Sequence, residues 1–344
     1  MGRLVAALAL GLCLTAFAVP VAAGVRAFRT SDGSEDPAFV RLGARTRVDR
    51  VVADGSLGVY LIGRIIVNGG ERQIVHLKPD GTVDRAFRPS IRGGSVGDAA
   101  VHTDELALIG TFRSIDGHAR TRVAVVDAHT GRPLAWKPQL PVSASLYGLR
   151  QVAFAGRTLV VGTDGGLLAW RRGAAHTAWA RDFQFALIAP WQGAIWAVVS
   201  TPKRGTRLAS IDPATGRTRI TGRNGDHVSD LRAVGGRLIA LGRGSYWRVD
   251  HPNDARLASC GQADGGTNAE LVAVAVAGDA RTLYVGDAPI SLDEPGRLPA
   301  VMACPWSGRG TNFLSPSFGY SMHGPVVSAL ALVGTHVLVF TRTF

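Results

Sequence analysis

The chain is poor in cysteine, lysine and helix-forming patterns. It has three cysteines and three lysines among 344 residues, and none of the lysines follows a glycine. A G-x-x-x-x-G-K-[ST] phosphate loop is therefore absent. Beyond residue 23 no apolar stripe at i, i+3, i+4 and i+7 runs between capping residues, which argues against a helical domain. The nine histidines form no H-E-x-x-H or other close ligand pair, so the sequence predicts no metal site.

The first 23 residues predict a signal peptide. Arg3 supplies the positive charge, Leu4–Val19 is uncharged, and Val21–Ala23 fits the small-residue cleavage rule. We expect cleavage after Ala23 and a secreted or extracytoplasmic protein; retention of the leader as an anchor is the alternative. No later run reaches the ~20 apolar residues of a transmembrane helix. Residues 24–344 are then predicted to form a single domain.

Two cysteines remain once the leader is removed, Cys260 and Cys304. An even pair in an exported protein is a disulfide candidate. Two buried free thiols are the alternative, because the sequence does not show whether the two Cα atoms lie within bridging distance.

The charge of the chain is strongly basic and is carried by arginine. The formal net charge is +12, and an excess of this size attracts anionic partners. In an exported protein we expect these partners to be anionic polysaccharides or other envelope polymers, and we expect no nucleic-acid partner. The arginines form no run of five or more, so an ordinary solvated surface is the alternative.

Short β-type runs bounded by Gly, Asp, Asn or Pro fill the rest of the chain. An apolar strand that ends near a glycine or small polar residue recurs seven times, from Ile62-Gly63 to Val339-Phe340. The 277 residues from Ile62 to Val339 in six steps give about 46 per step, as in four-stranded propeller blades. The period predicts an all-β, seven-bladed β-propeller of four-stranded blades. The clearest runs are Tyr60–Val67, Leu106–Thr111, Thr158–Gly162, Ile195–Ser200, Arg237–Gly242, Leu271–Ala277, Thr282–Gly286 and Val326–Thr341.

One octapeptide frame occurs twice, 48 residues apart. Asp32–Phe39 reads DGSEDPAF, and Asp80–Phe87 reads DGTVDRAF. The first copy follows the strand-like Val25–Arg29, as the second follows Ile74–Lys78. Because the C-terminus stops after two strands, we predict that the last blade is closed by two strands from each end of the chain. Such closure removes an open sheet edge.

The recurring positions of the motif have a structural interpretation. Asp32 with Gly33, and Asp80 with Gly81, form tight turns in which the glycine takes a positive φ and the aspartate bonds the backbone ahead. The aromatic rings of Phe39, Phe87 and Trp136 are predicted to anchor an outer strand to its own blade. All seven residues are therefore interpreted as blade anchors rather than as ligands.

Two stretches resemble the delta-60 family of β-propeller repeats. Ile62–Ser90 contains Asn68-Gly69 in its hairpin and the DGxxDxxF turn, and Ile109–Leu140 contains Asp116-Gly117 and a DxxTGxxxxWxP ending. The motifs are clear in residues 25–140, about a third of the chain. The resemblance implies a propeller fold and an extracytoplasmic or surface setting, and it implies no shared reaction.

One element of the sequence bears on whether the chain binds a cofactor. Val126–Trp136 also resembles the D-x-x-T-G-x-x-x-W element of quinoprotein propellers, with one extra residue between Gly131 and Trp136. In that family the element locks blades and does not bind the quinone. The chain is also short for the eight blades of that family, so we expect no cofactor.

These patterns favour a non-catalytic binding or scaffold module, expected to be a monomer, for a protein or an anionic surface polymer. An exported hydrolase or lyase acting on sugars or lactones at the channel mouth is the alternative. No catalytic, cofactor-binding or metal-binding residue is assigned. Trp191, beside Pro190 and Gln192 in an expected loop, is the candidate for stacking against a sugar.

Overall fold

The computed structural model describes eleven stretches of the chain. They are residues 24–141, 148–183, 186–201, 205–224, 228–242, 245–248, 271–278, 282–289, 301–305, 311–314 and 326–342. The regular secondary structure of these stretches is β-strand throughout. They include no helix long and apolar enough to cross a membrane. The leader and Cys260 lie outside the described residues, whereas Cys304 lies on a described strand.

The described strands number 27. They are β1 (Val25–Arg29), β2 (Arg47–Ala53), β3 (Val59–Val67), β4 (Gly70–Leu77), β5 (Ile91–Arg92), β6 (Val96–His102), β7 (Glu105–Gly110), β8 (Ser114–Ile115), β9 (His118–Ala119), β10 (Val123–Asp127), β11 (Leu149–Ala155), β12 (Thr158–Thr163), β13 (Gly166–Arg171), β14 (Trp179–Asp182), β15 (Ala186–Trp191), β16 (Ala194–Thr201), β17 (Gly205–Ile211), β18 (Thr218–Asn224), β19 (Val228–Val234), β20 (Arg237–Gly242), β21 (Ser245–Arg248), β22 (Leu271–Gly278), β23 (Thr282–Pro289), β24 (Val301–Pro305), β25 (Thr311–Leu314), β26 (Val326–Val333) and β27 (His336–Arg342).

The strands pair in antiparallel sheets whose order follows the chain. Three sheets have four strands: β11–β14, β15–β18 and β22–β25. Four have three strands in the described residues: β2–β4, β6 and β7 with β10, β19–β21, and β26 and β27 with β1. A small sheet of β5, β8 and β9 is inserted in the second of these. The predicted all-β architecture with four-stranded antiparallel sheets is confirmed.

In three of the three-stranded sheets, one residue of the outer strand pairs with a single residue further out, in an isolated β-bridge. These pairs are Phe28 with Glu35, Leu77 with Val83, and Val126 with Pro133. In two of them the outer partner belongs to a copy of the repeated octapeptide. The octapeptide therefore occupies the outer position of a sheet, as its place in the repeat predicts, but it pairs at one residue rather than along a full strand.

Strands from the two ends of the chain pair with each other. In the β1–β27 pair Val25 lies opposite Phe340 and Arg29 lies opposite His336. The amide of Thr341 donates to the carbonyl oxygen of Gly24 at 3.0 Å. The predicted closure of the last sheet by N-terminal residues is confirmed for these strands.

The first strands of the seven larger sheets form a closed series of contacts. Contacts join β2 to β6, β6 to β11, β11 to β15, β15 to β19, β19 to β22, β22 to β26, and β26 back to β2. Apolar clusters fill the space between successive sheets; one of them joins Ile74 of β4 to Leu108 of β7. Small residues such as Ala99 and Ala153 allow the sheets to approach closely. The seven first strands thus surround one shared central space.

Candidate functional site

The space enclosed by the first strands is a cavity of about 470 Å³, which we call the central cavity. All seven first strands contribute to its lining, from Val51 on β2 to Leu330 on β26. The hairpin loops that follow β2 and β19 contribute Leu57 and Gly235. Since the Leu57 side chain is 55% exposed, this end of the cavity reaches the molecular surface.

The walls of the central cavity are mostly apolar, and its polar lining residues are few. Valine, alanine and leucine side chains form most of the lining, because a strand packed between two neighbours favours slim apolar residues. Among the described lining residues the charged side chains are Asp98 and Arg232, joined by the polar Gln151. An apolar wall with a few polar groups is the usual composition of a small-molecule pocket.

Asp98 is held in place by the neighbouring sheet and by arginine. Its Oδ2 accepts the amide of Val152 at 3.0 Å, and the Nε of Arg50 lies 3.9 Å from Oδ1. Burial raises the pKa of Asp98, and the positive charges of Arg50 and Arg232 offset part of that effect. The carboxylate is 6% exposed, so its negative charge is stabilised chiefly by these partners.

Gln151 repeats this arrangement one sheet further on. Its Oε1 accepts the amide of Ile188 at 2.7 Å, across the gap between β11 and β15. Asp98 and Gln151 each follow a register shift near the start of a first strand. A polar residue just past a β-bulge in an otherwise apolar strand is the signal in the sequence; we had not singled out either residue.

Four arginines lie on neighbouring segments at the junction of the first two sheets, and we call them the arginine surface: Arg72, Arg88, Arg92 and Arg113. Burial lowers the pKa of Arg72, and the positive charge of Arg88 adds to that effect. The amide of Arg113 donates to the carbonyl of Arg92 at 2.9 Å. The side chain of Gln73, next to Arg72, donates to the carbonyl of Gly94 at 2.9 Å. This bond links the segment of Arg72 to the segment that contains Arg92.

The arginine surface is largely exposed, and the carboxylate of Asp116 bonds within one of its segments. Arg88, Arg92 and Arg113 are exposed, and Arg72 is half-buried. The Oδ1 of Asp116 accepts the amide of Ser90 at 2.7 Å, between Arg88 and Arg92 in the chain. No run of basic residues in the sequence predicts this group, because the four arginines come from three separate segments.

The second copy of the octapeptide forms a hydrogen-bonded turn beside a buried histidine. Asp80 Oδ1 accepts the amide of Thr82 at 2.9 Å and its hydroxyl at 2.6 Å. Asp84 Oδ2 lies 3.0 Å from Nδ1 of His76, whose Nε2 lies 3.0 Å from Oδ2 of Asp54. For Asp84, burial alone would raise the pKa, but His76 and a backbone amide outweigh it, and the pKa is lowered.

The first copy forms the equivalent turn, and its aromatic ring faces a different histidine. Asp32 Oδ1 accepts the amide of Ser34 at 2.9 Å, and Gly33 has a φ of +71°. The ring of Phe39 stacks on His336 of β27 with 3.7 Å between centroids. A β-carbon added to Gly81 of the second copy would lie 2.2 Å from the carbonyl oxygen of Phe39. The two copies therefore touch where the chain closes on itself.

The other two aromatic anchors face the following sheet as well as their own. Phe87 is 1% exposed and shares a cluster with Ile74 of its own sheet and Leu108 of the next. The indole of Trp136 donates to the carbonyl of Ala174, in the loop between β13 and β14 of the next sheet, at 2.8 Å. The sequence predicts that each ring anchors an outer strand to its own sheet. The structure places the rings at junctions between sheets, and the energetic role of these anchors stays a prediction.

Trp191 is the last residue of β15 rather than a loop residue. Its indole donates to the carbonyl oxygen of Gly236, at 3.0 Å, and its ring lies edge-on to Trp196 at 6.0 Å. The ring is half-buried, so one part of it packs within the fold. Its role in stacking against a ligand stays a prediction.

The described residues contain no group of three or more His, Cys, Asp and Glu side chains arranged to hold a metal ion. The pentapeptide Gly93–Gly97 has the spelling G-x-S-x-G. That motif marks a nucleophile only on a strand-to-helix turn. Here Val96 starts strand β6, and the Ser95 amide donates to Thr111 Oγ1 at 2.9 Å, so the context of a nucleophile is missing.

No protein-family model matches the chain, and no curated protein matches it. Solved structures do, and these neighbours are β-propeller proteins. The extracellular domain of BT4673 from B. thetaiotaomicron aligns with a TM-score of 0.52 and 12% identity over 88% of this chain. This chain spans 38% of the length of that neighbour.

Other neighbours align less closely in three dimensions. BamB from Moraxella catarrhalis gives a TM-score of 0.44 and 15% identity over 94% of this chain and 95% of its own. YCF48 from Cyanidioschyzon merolae gives a TM-score of 0.48 and 11% identity over 86% of this chain and 96% of its own. At this level of identity the likeness concerns the fold alone. The closed series of sheets and the alignment with the BT4673 domain identify the protein as a β-propeller with repeat-like blades.

Proposed function

We propose that the chain is an exported, seven-bladed β-propeller that acts without catalysis as a binding module for an anionic surface polymer. Seven larger sheets in chain order and a closed series of contacts among their first strands support the count of seven blades. The two DGxxDxAF copies, each at the outer edge of a sheet, support assignment to delta-60 repeats.

The arginine surface is the observation that carries the choice of partner. Arginines on neighbouring segments, three of them exposed, attract carboxylates, sulfates or phosphates. Planar guanidinium groups bind such anions through paired hydrogen bonds. The overall charge of +12 adds long-range attraction of the same sign. An anionic polymer presents many such groups in a row, so several of these arginines can be engaged together.

The enzymatic alternative required carboxylates or histidines that converge on the central cavity. Among the described residues that line it, Asp98 is the one carboxylate, and its Oδ2 accepts a backbone amide. This arrangement does not favour a hydrolase or lyase.

Retention on immobilised heparin, an anionic polysaccharide, tests the proposal. The triple variant Arg88→Gln, Arg92→Gln, Arg113→Gln is expected to elute at clearly lower salt than the wild type. A matched control removes three exposed arginines elsewhere, Arg41, Arg157 and Arg219, also by substitution with Gln. Because net charge falls equally in both variants, an equal shift would contradict a localised surface, and no retention of the wild type would contradict polymer binding.

Export, the disulfide and the monomeric state belong to the same proposal. The apolar leader supports export with cleavage after Ala23, and intact-mass measurement of the secreted protein tests it. The pair Cys260 and Cys304 is proposed to form a disulfide; alkylation of both thiols in the native secreted protein would overturn that assignment. Light scattering at several concentrations tests the monomer.

A further inference from the structure

The central cavity combines an apolar wall, a guanidinium group and an opening to the molecular surface. Val52, Val101, Phe154 and Leu231 are among its apolar lining residues, and Arg232 supplies a guanidinium group. We propose that this cavity binds a small amphipathic carboxylate, with the carboxylate at Arg232 and the apolar tail along the wall. This site and ligand are separate from the arginine surface and its polymer.

The size of the cavity suits a small organic molecule. Its volume of about 470 Å³ lies within the ~300–1,000 Å³ that small-molecule pockets occupy. The end at Leu57 and Gly235 reaches the surface, so a ligand has a route of entry. Asp98 and Gln151 are tied to the neighbouring sheets by their bonds to the amides of Val152 and Ile188, so this part of the wall is held in place.

The charge arrangement selects an anion over a cation. Asp98 is 6% exposed and its Oδ2 already accepts the amide of Val152. A cationic head group would also meet Arg232 in the lining and Arg50 at 3.9 Å from Asp98. Arg232 is half-buried, so part of its side chain is accessible from the cavity. A guanidinium group carries five N–H donors, so it can hold a carboxylate while it also interacts with Asp98.

The apolar wall accounts for the tail of the ligand. Burying apolar surface contributes about 25 cal/mol per Å², and a carboxylate–guanidinium pair gains strength where water is excluded. A hydrophilic anion such as acetate would make the ionic contact alone. The cavity is therefore expected to discriminate by tail length as well as by charge.

Isothermal titration of the full exported chain with octanoate and with octan-1-ol separates the charged contribution from the apolar one. We expect octanoate to bind with one site per chain and more tightly than octan-1-ol. In Arg232→Gln, octanoate affinity should fall about tenfold or more, the loss of one charge-assisted contact, while octan-1-ol binding stays unchanged. Arg219→Gln, which removes an exposed arginine outside the cavity lining, is the control and should bind octanoate as the wild type does.

A second variant addresses occupancy of the cavity itself. Ala233 lies in the lining and is exposed, so Ala233→Phe fills space without displacing a buried side chain. It should abolish binding of both ligands while retention on heparin is unchanged. Equal affinity for octanoate and octan-1-ol in the wild type, no octanoate binding at all, or octanoate binding that survives Ala233→Phe would each overturn the proposal. Heparin retention reports separately on the polymer.

Discussion

Replacement of Gly81 by alanine probes the contact between the two octapeptide copies. Gly81 has a φ of +78°, a conformation that costs an L-residue about 1–2 kcal/mol. The added β-carbon would lie 2.2 Å from the carbonyl oxygen of Phe39 and 2.9 Å from a carbon of its ring. Contacts below 3.0 Å do not persist, so the Phe39 backbone must move by roughly 1 Å.

The position of Phe39 is constrained on two other sides. Its ring stacks on His336 at 3.7 Å between centroids, and its amide donates to the carbonyl of Asp36 at 3.2 Å. Moving Phe39 therefore disturbs the contact between the N-terminal copy and β27. Overpacking of this kind costs typically about 1–3 kcal/mol in addition to the backbone strain. We expect Gly81→Ala to destabilise the protein by roughly 2–5 kcal/mol in total.

Gly69→Ala is the matched control. Gly69 has a φ of +75°, and an added β-carbon would meet nothing within 4 Å, so it carries the backbone strain without the clash. Urea unfolding followed by tryptophan fluorescence measures both variants against the wild type. Gly81→Ala should be destabilised by about 1–3 kcal/mol more than Gly69→Ala. Equal destabilisation of the two variants would refute the contact between Phe39 and Gly81.

Three further changes test the junction of the first two sheets. Phe87→Ala empties a fully buried site and should cost about 3–5 kcal/mol; a thermal shift near zero would contradict the anchor role. Tyr60→Phe removes the buried hydroxyl that donates to Ala128 at 2.6 Å, and unfolding titration should show a loss of about 1–3 kcal/mol. Since the folded pKa of Asp84 is lowered, its contribution is present above the ordinary carboxyl pKa and disappears as pH falls through the lowered value. The difference in Tm between wild type and Asp84→Asn should thus be largest at pH 5–7 and shrink below about pH 4. A difference in Tm that does not change with pH would count against the interaction of Asp84 with His76.

The closure of the fold was predictable because it rests on local turn chemistry. The Asp-Gly pairs at Asp32 and Asp80 dictate a turn, and an apolar strand-like run precedes each copy, so the match of the two segments predicted the pairing of β1. The single-residue outer bridges were not predictable. After Val83 the chain leaves the sheet edge, and Phe87 is buried against the next sheet. The site that buries Phe87 is formed by residues distant in the sequence, such as Leu108 of β7.

The candidate sites could not be predicted from the sequence, for a related reason. Asp98 bonds an amide 54 residues away in the chain, and Arg232 reaches the same cavity from a strand three sheets further on. The arginine surface likewise joins Arg72 to Arg113 through Gln73 and Gly94. A polar residue in an apolar strand is visible in the sequence, but its partners are set by how the sheets are arranged in space.

The β1–β27 pair also dictates the order of events when the chain is made. At about 5–20 residues per second, synthesis of the more than three hundred residues that separate Arg29 from His336 takes roughly 15–60 s, during which β1 has no partner. The thermodynamic penalty of so long a loop is modest, roughly 2–3 kcal/mol more than that of a 20-residue loop. The delay is the greater hazard, because an unpaired strand invites pairing with other chains. β1 is short, only five residues, and two of them are Arg26 and Arg29. Brevity and charge keep it soluble until the final strand emerges.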